Sequence, residues 1–339
     1  MKAAVFYGPR DVKVEEVDKP QIQDNEILIK VKACGICGSD LHMYKLNLFS
    51  PMLCRPLKKG GIPGHEFSGE IVEVGSKVKG FKEGDKVVAL TNGGMAEYIP
   101  VTIVDGFNVI KIPPGVSYEE AATLEPIANS YHAMMKCEIP KGANVVIFGA
   151  GAIGLGIIQC LKALDVPLNK IIVIDLSDHR LDIAKKLGAD AVINAKETDP
   201  QKKVMELVGT DPLSRLPIMQ TPNVDIVYDC VGYMKEHKGP LVLQQAINMV
   251  RELTGTIVIH GIFEDTISLE MLFVIGKEVT IKGSFAFTRL ELEKSLELIR
   301  NKKIDRSLII SHEFSLDDAK EAFETQCNTN KSVKVLIKP

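Results

Sequence analysis

Tryptophan is absent from the 339 residues, and positive charge is not in excess, with 41 Lys and Arg standing against 44 Asp and Glu. A net charge of -3 leaves no surplus to neutralise phosphates, which argues against nucleic acid as the main partner. The opening stretch MKAAVFYGPRDVKVEEV lacks an apolar run and carries charges every few residues. Neither a secretory leader nor a membrane anchor is therefore expected, and a cytoplasmic location is. Cysteine is sparse and odd in number, seven residues at 34, 37, 54, 137, 160, 230 and 327. That scatter does not suit a disulfide framework and leaves metal binding or catalysis as the use of some thiols. The rest is ordinary for a globular chain, 45% apolar and 25% charged. The length suggests two domains, because single cores stop growing at about 250 to 300 residues.

Two textures divide the chain. Up to about residue 115, short β-segments (3–7, 12–17, 26–32, 67–74, 86–90 and 96–101) are separated by turn pairs such as Gly8-Pro9, Pro63-Gly64 and Gly93-Gly94. Strands without intervening helices predict a small β-barrel or sandwich. From Asn144 to Gly283, apolar strands (145–148, 171–174, 191–193, 225–228, 256–259 and 279–281) alternate with helical stretches, which predicts a parallel, doubly wound sheet. Two amphipathic helices and a strand at 333–337 close the chain. Ser117 to Glu120, Thr198 to Gln201 and Thr288 to Glu291 read as capping boxes, and the Pro-rich, aperiodic stretch 210–223 reads as loop.

Gly149, Gly151 and Gly154 form G-x-G-x-x-G, with Ile153 between the last two, directly after an apolar strand and before the helix-forming run 152–164. The first glycine permits the tight turn, the second lets the backbone approach a pyrophosphate, and the third allows close helix–strand packing. The pyrophosphate would sit on free N–H groups at the helix start. Asp175 ends the next strand 21 residues after Gly154, where a carboxylate bonds the ribose hydroxyls and repels a 2′-phosphate, so NAD is favoured over NADP. Arg180 follows closely and softens that preference.

Cys34-Gly-Ile-Cys37-Gly-Ser39-Asp40-Leu-His42 and Gly64-His65-Glu66 put thiols, imidazoles and carboxylates on glycine-rich turns. A second C-x-x-C is missing, so a closed four-thiolate site fails. One thiolate, one imidazole and one or two carboxylates fit catalytic zinc, which keeps a position for water or substrate. Glu125 is a further candidate. Pro126 must interrupt the helix that Ser117 begins, and Glu125 is then displayed at the break, either as a solvated helix end or as a ligand.

These residues resemble the zinc-dependent medium-chain dehydrogenases, polyol branch. The shared stretches are ACGICGSDLH, IPGHEFSGEIVEVG, KEGDKV, AEY, EEAATLEPIANSYHA, FGAGAIG and RLDIAKKLGAD, which span nearly the whole chain in order. The resemblance implies an α/β protein in which a GroES-like β-barrel catalytic domain, 1–140 and 284–339, is split around a Rossmann domain, 141–283. It implies Cys37, His65, Glu66 and Glu125 as zinc ligands or alternate ligands. Ser39 and His42 match the proton relay, and Asp40 matches the carboxylate that orients the ligand histidine. Cys34 matches no ligand and reads as a small buried hydrophobe.

The family commonly carries a four-cysteine lobe that binds a structural zinc. Here only 89–95, without cysteine, joins the flanking strands, so one catalytic zinc and no structural zinc are expected. The implied reaction is NAD-dependent oxidation of a secondary alcohol, such as a polyol, to a ketone, and its reverse. A zinc-free quinone or enoyl reductase on the same scaffold would lack the Cys and His-Glu ligands and usually prefers NADPH. A non-enzymatic NAD-binding protein would have no use for Ser39 and His42. The substrate is a small alcohol or ketone whose pocket draws on the loop 44–58 and on 285–288, where no code is readable. A homodimer or homotetramer is expected through the sheet edge at 279–281.

Overall fold

The computed structural model describes residues 1–339 apart from 105–106, 164–166, 216–219 and 237–238. The chain forms two compact units, Met1–Ala128 with Thr288–Pro339, and Asn129–Phe287. The sequence reading placed the boundaries at 140 and 283 instead.

The first unit opens with a hairpin of β1 (Lys2–Gly8) and β2 (Asp11–Glu16). The ten-residue β3 (Glu26–Gly35) is buried at most positions, its charged Glu26, Lys30 and Lys32 falling at the ones that are not. Its register slips at Leu28/Ile29 and at Val31/Ala33, bulges that bend it between different partners. Helix α1 (Gly38–Leu46), the single turn α2 (Ser50–Leu53), and the two-residue strands β4 (Arg55–Pro56) and β5 (Gly61–Ile62) follow. The stretch 44–58, read above as loop, is thus largely built. Next come β6 (Glu66–Val74), β7 (Lys86–Ala89), β8 (Tyr98–Thr102), β9 (Val109–Lys111), α3 (Tyr118–Ala122) and α4 (Leu124–Met135). The Ser117 capping box forms as expected. The helix break, however, falls at Thr123 rather than at Pro126. Pro126 sits in the first turn of α4, where a missing N–H costs nothing.

In the second unit, β10 (Asn144–Phe148) is buried along its full length. It is followed by α5 (Ala152–Lys162), β11 (Lys170–Asp175), α6 (Asp178–Lys186), β12 (Ala191–Asn194), α7 (Pro200–Val208), β13 (Ile226–Asp229), α8 (Val242–Met249), β14 (Thr256–Ile259), α9 (Met271–Lys277) and β15 (Thr280–Gly283). All strand pairings are parallel and the order is β12-β11-β10-β13-β14-β15, a doubly wound sheet. The α7 cap is Asp199, whose side chain accepts from the Lys202 N–H, with Pro200 behind it; Thr198 is not the cap. Of the helical run 152–164, residue 164 lies outside the described residues, as do 216–219 of the loop 210–223.

The closing segment returns to the first unit as α10 (Arg289–Arg300), capped by the Thr288–Glu291 box, then β16 (Ile310–Ser315), α11 (Ala319–Cys327) and β17 (Lys334–Lys338). Strand β17 pairs with β3 and completes a sheet ordered β16-β17-β3-β6-β7-β9, with β8 also on β3; a smaller sheet runs β2-β1-β5-β4. Side chains such as Ile29, Phe67, Val87, Tyr44 and Phe323 fill the core between them.

Candidate active site

Strand β3 ends at Gly35, and the chain turns through Cys37 into α1. The Cys37 N–H donates to Asp40 Oδ2 at 2.9 Å, so Asp40, fully buried, closes the first turn of the helix that carries Ser39 and His42. Ser39 and His42 are three residues apart on one helical face, and each is half-buried. His65 and Glu66 follow Gly64, which has φ +95 and no room for a side chain, since a Cβ would lie 2.7 Å from Cys34 Sγ and 2.8 Å from Met95. The Gly64 carbonyl accepts from the N–H groups of Gly93 and Gly94, at 2.9 and 2.8 Å. The short connection 89–95 therefore stitches down the turn bearing His65.

These turns bring donor atoms of Cys37, His65 and Glu66 within 4.8 Å of one another. Glu125, in the first turn of α4, is not part of that trio, but its charge acts on both His65 and Lys334. Asp40 Oδ1 lies 3.9 Å from His65 Nδ1, within ion-pair range but longer than a hydrogen bond. Three buried atoms here, Asp40 Oδ1, His65 Nδ1 and Glu66 Oε1, have no hydrogen-bond partner. Burial, then Glu66, pushes the Cys37 thiol up, and His65 offsets this in part. Burial works against charge on His65, yet Asp40 and Cys37 lift it well above the usual range. A thiol, an imidazole and a carboxylate, buried together with unused lone pairs, form the donor set that a borderline-soft divalent cation such as zinc takes. The residues therefore fit the metal.

Sequence reasoning missed Lys334. Its ammonium, buried on β17, donates to Glu66 Oε2 at 2.6 Å and to the Ile36 carbonyl at 3.0 Å. The available signal was a lysine flanked on both sides by residues of an apolar final strand.

In the second unit Gly149 has φ +92, and a Cβ on Gly154 would lie 1.9 Å from the Gly149 carbonyl oxygen, so both positions require glycine. Gly151 caps α5 without a side chain, leaving the helix N-terminal amides open to an anion. The Ile153 carbonyl accepts from Ser130 Oγ. Asp175 ends β11, its Oδ2 accepting from the Ala150 N–H at 2.6 Å and its Oδ1 from Leu176 and Ser177. The Arg180 guanidinium approaches Gly151 and interacts with Asp175, and its burial lowers its pKa.

Residues 23–114 match the alcohol dehydrogenase GroES-like domain, and residues 152–301 match the zinc-binding dehydrogenase family. The chain is 32% identical to a sorbitol dehydrogenase of Bacillus subtilis, covering 100% of this chain and 97% of that one. It is 31% identical to the (R,R)-butanediol dehydrogenase of the same organism, over the full length of both. The crystal structure of 2R,3R-butanediol dehydrogenase from Bacillus subtilis superimposes with a TM-score of 0.82 at 30% identity, covering 100% of this chain and 99% of that one. The fold and the likeness together define an oxidoreductase that acts on alcohols. The chain belongs to the zinc-dependent medium-chain dehydrogenase/reductase family, in the branch of the sorbitol and butanediol dehydrogenases. Among the described residues no helix is long and apolar enough to cross a membrane.

Proposed function

We propose that this enzyme interconverts a secondary alcohol of a small polyol-like compound and the corresponding ketone, using one zinc ion and NAD. The observation that carries the reading is the convergence of Cys37, His65 and Glu66 donor atoms within 4.8 Å. Those three residues, with Glu125 as the fourth candidate, would hold the metal. When bound, zinc supplies Lewis acidity to the alcohol oxygen and the nicotinamide supplies the hydride acceptor. Ser39 takes the hydroxyl proton and hands it toward His42, one turn along α1, while Asp40 keeps that helix start rigid. Gly151 and the α5 N-terminus would receive the pyrophosphate, and Asp175 the adenosine ribose, where its negative charge would favour NAD over NADP. Relatives named for sorbitol and butanediol support the substrate class. The test is metal analysis with NADH formation across an alcohol panel. Zinc-dependent turnover supports the reading, and metal-free protein that reduces quinones with NADPH refutes it.

Strand β15 is exposed at all four residues, and Met271, Leu272 and Ile275 on α9 are also exposed. A second copy of the chain pairing along this edge would cover them, and sedimentation at micromolar concentration showing only monomer would refute this.

A further inference from the structure

Arg306 is the largest fully buried side chain among the described residues. A guanidinium is charged at every accessible pH, and burying it costs several kcal/mol unless its surroundings compensate. It lies between Ile304 and Ile309, both buried, on a turn held by the Ile309 N–H to Arg306 carbonyl bond at 3.2 Å. The guanidinium thus points inward between exposed neighbours, Asp305 and Ser307, and is built into the fold.

One Arg306 contact leads toward the candidate site, that to Thr123. Arg306 Nε donates to Thr123 Oγ1 at 3.1 Å, and the same hydroxyl donates to the Glu120 carbonyl at 2.7 Å. Thr123, fully buried, is the joint between two helices: it ends α3, and its carbonyl accepts from Ile127, the first hydrogen bond of α4. From the same closing segment, Lys302 Nζ reaches the Glu120 carboxylate at 3.3 Å. The joint is therefore tied down from outside, and Glu125 stands two residues beyond it, its charge felt at His65 and Lys334.

We propose that Arg306 is a positioning residue for Glu125: by holding the Thr123 joint it sets the first turn of α4, and with it where the Glu125 carboxylate stands relative to Cys37, His65 and Glu66. The inference rests on Glu125 serving as a zinc ligand, and the test separates the two claims. Wild type, Glu125→Gln, Thr123→Val, Arg306→Gln, Arg306→Lys and the double variant Arg306→Gln/Glu125→Gln are compared as zinc-loaded full-length protein. The readouts are zinc release into excess chelator, the visible spectrum of the cobalt(II)-substituted protein, and the denaturation midpoint. Loss of a supporting contact around a metal ligand weakens metal binding by about 10- to 100-fold. Arg306→Gln and Thr123→Val should therefore speed zinc release by about tenfold or more and move the cobalt bands in the same direction as Glu125→Gln. Arg306→Lys should recover part of the loss, and the double variant should lose little beyond Glu125→Gln alone. A changed Glu125→Gln beside Arg306 and Thr123 variants that differ from wild type only in denaturation midpoint would overturn the positioning role by itself. An unchanged Glu125→Gln would remove the ligand reading, and the proposal with it. If Arg306→Gln does not fold, Thr123→Val and Arg306→Lys decide.

Discussion

Lys334 Nζ and Glu66 Oε2 stand 2.6 Å apart in a pair that is almost wholly buried, 3% and 0% exposed at their side chains. Burial works against the lysine charge, but Glu66 and Cys37 hold its pKa above the ordinary value. One carboxylate oxygen of Glu66 is thereby engaged, while Oε1 has no hydrogen-bond partner. The pair also explains why β3 ends in glycine, since a Cβ at Gly35 would lie 2.4 Å from Glu66 Oε2. Removing one partner of a buried pair strands the other's charge at a cost of about 3 to 5 kcal/mol. Lys334→Met should lower the unfolding free energy by about that much, and Lys334→Met/Glu66→Gln should recover a large part of it, as read by chemical denaturation.

Cys37 is the thiol to which chemistry is assigned, and its neighbour Cys34 serves as the comparison. Cys34 is fully buried, and burial raises its thiol well above the usual range, so it packs as a small apolar residue. Cys37→Ser should lose stoichiometric zinc and at least about 10²-fold in kcat/KM. Cys34→Ala should keep both while losing some stability. Metal content and turnover measured on the same preparations check the contrast.

His260 follows β14 and shares a 3.2 Å hydrogen bond with Ser284, which follows β15. Burial, then the nearby His132, pushes its pKa down to about 4. The folded state therefore favours the neutral ring. Its contribution to stability is complete above the unfolded value near 6.5 and is lost as pH falls from there through about 4. Denaturation of wild type and His260→Leu at intervals from pH 7 to below 4 should show the two curves converging on acidification, by up to about 3 kcal/mol.

Where a residue's role is written in backbone geometry, the sequence was readable. Gly149 and Gly154 announce their turn because a φ of +92 strains any residue with a Cβ, and a Cβ on Gly154 would run into the Gly149 carbonyl oxygen. The alternation of apolar strands and helices announces a doubly wound sheet for the same kind of reason. Long-range pairing left no such local trace. Lys334 meets Glu66 across 268 residues, and Arg306 meets Thr123 across 183. Lys334 carries only the weak signal of the apolar residues around it, and nothing near Arg306 signals a buried cation. The position of the α3–α4 break was misread because Pro126 is tolerated in a first helical turn, so a proline marks a boundary without saying on which side it falls. The stretch 44–58 hid its structure in short elements, one turn of α2 and two-residue strands, that are too brief to show a period.

Asp175 tests the nucleotide half of the proposal. Its two oxygens accept from Ala150, Leu176 and Ser177, so the carboxylate both braces the glycine turn and presents negative charge at the end of β11. Replacement by asparagine retains an acceptor but removes the charge; replacement by alanine removes both. A hydrogen bond to a charged group is worth about 1.5 to 3 kcal/mol, roughly 10- to 150-fold in affinity. Asp175→Ala should raise the KM for NAD within that range and loosen the α5 turn. Asp175→Asn should chiefly narrow the preference for NAD over NADP, since the repulsion of a 2′-phosphate is gone and Arg180 is left beside Gly151. Initial rates with both cofactors at saturating alcohol measure the ratio. An Asp175→Asn enzyme whose NAD to NADP ratio matches wild type would show that discrimination lies elsewhere in the second unit.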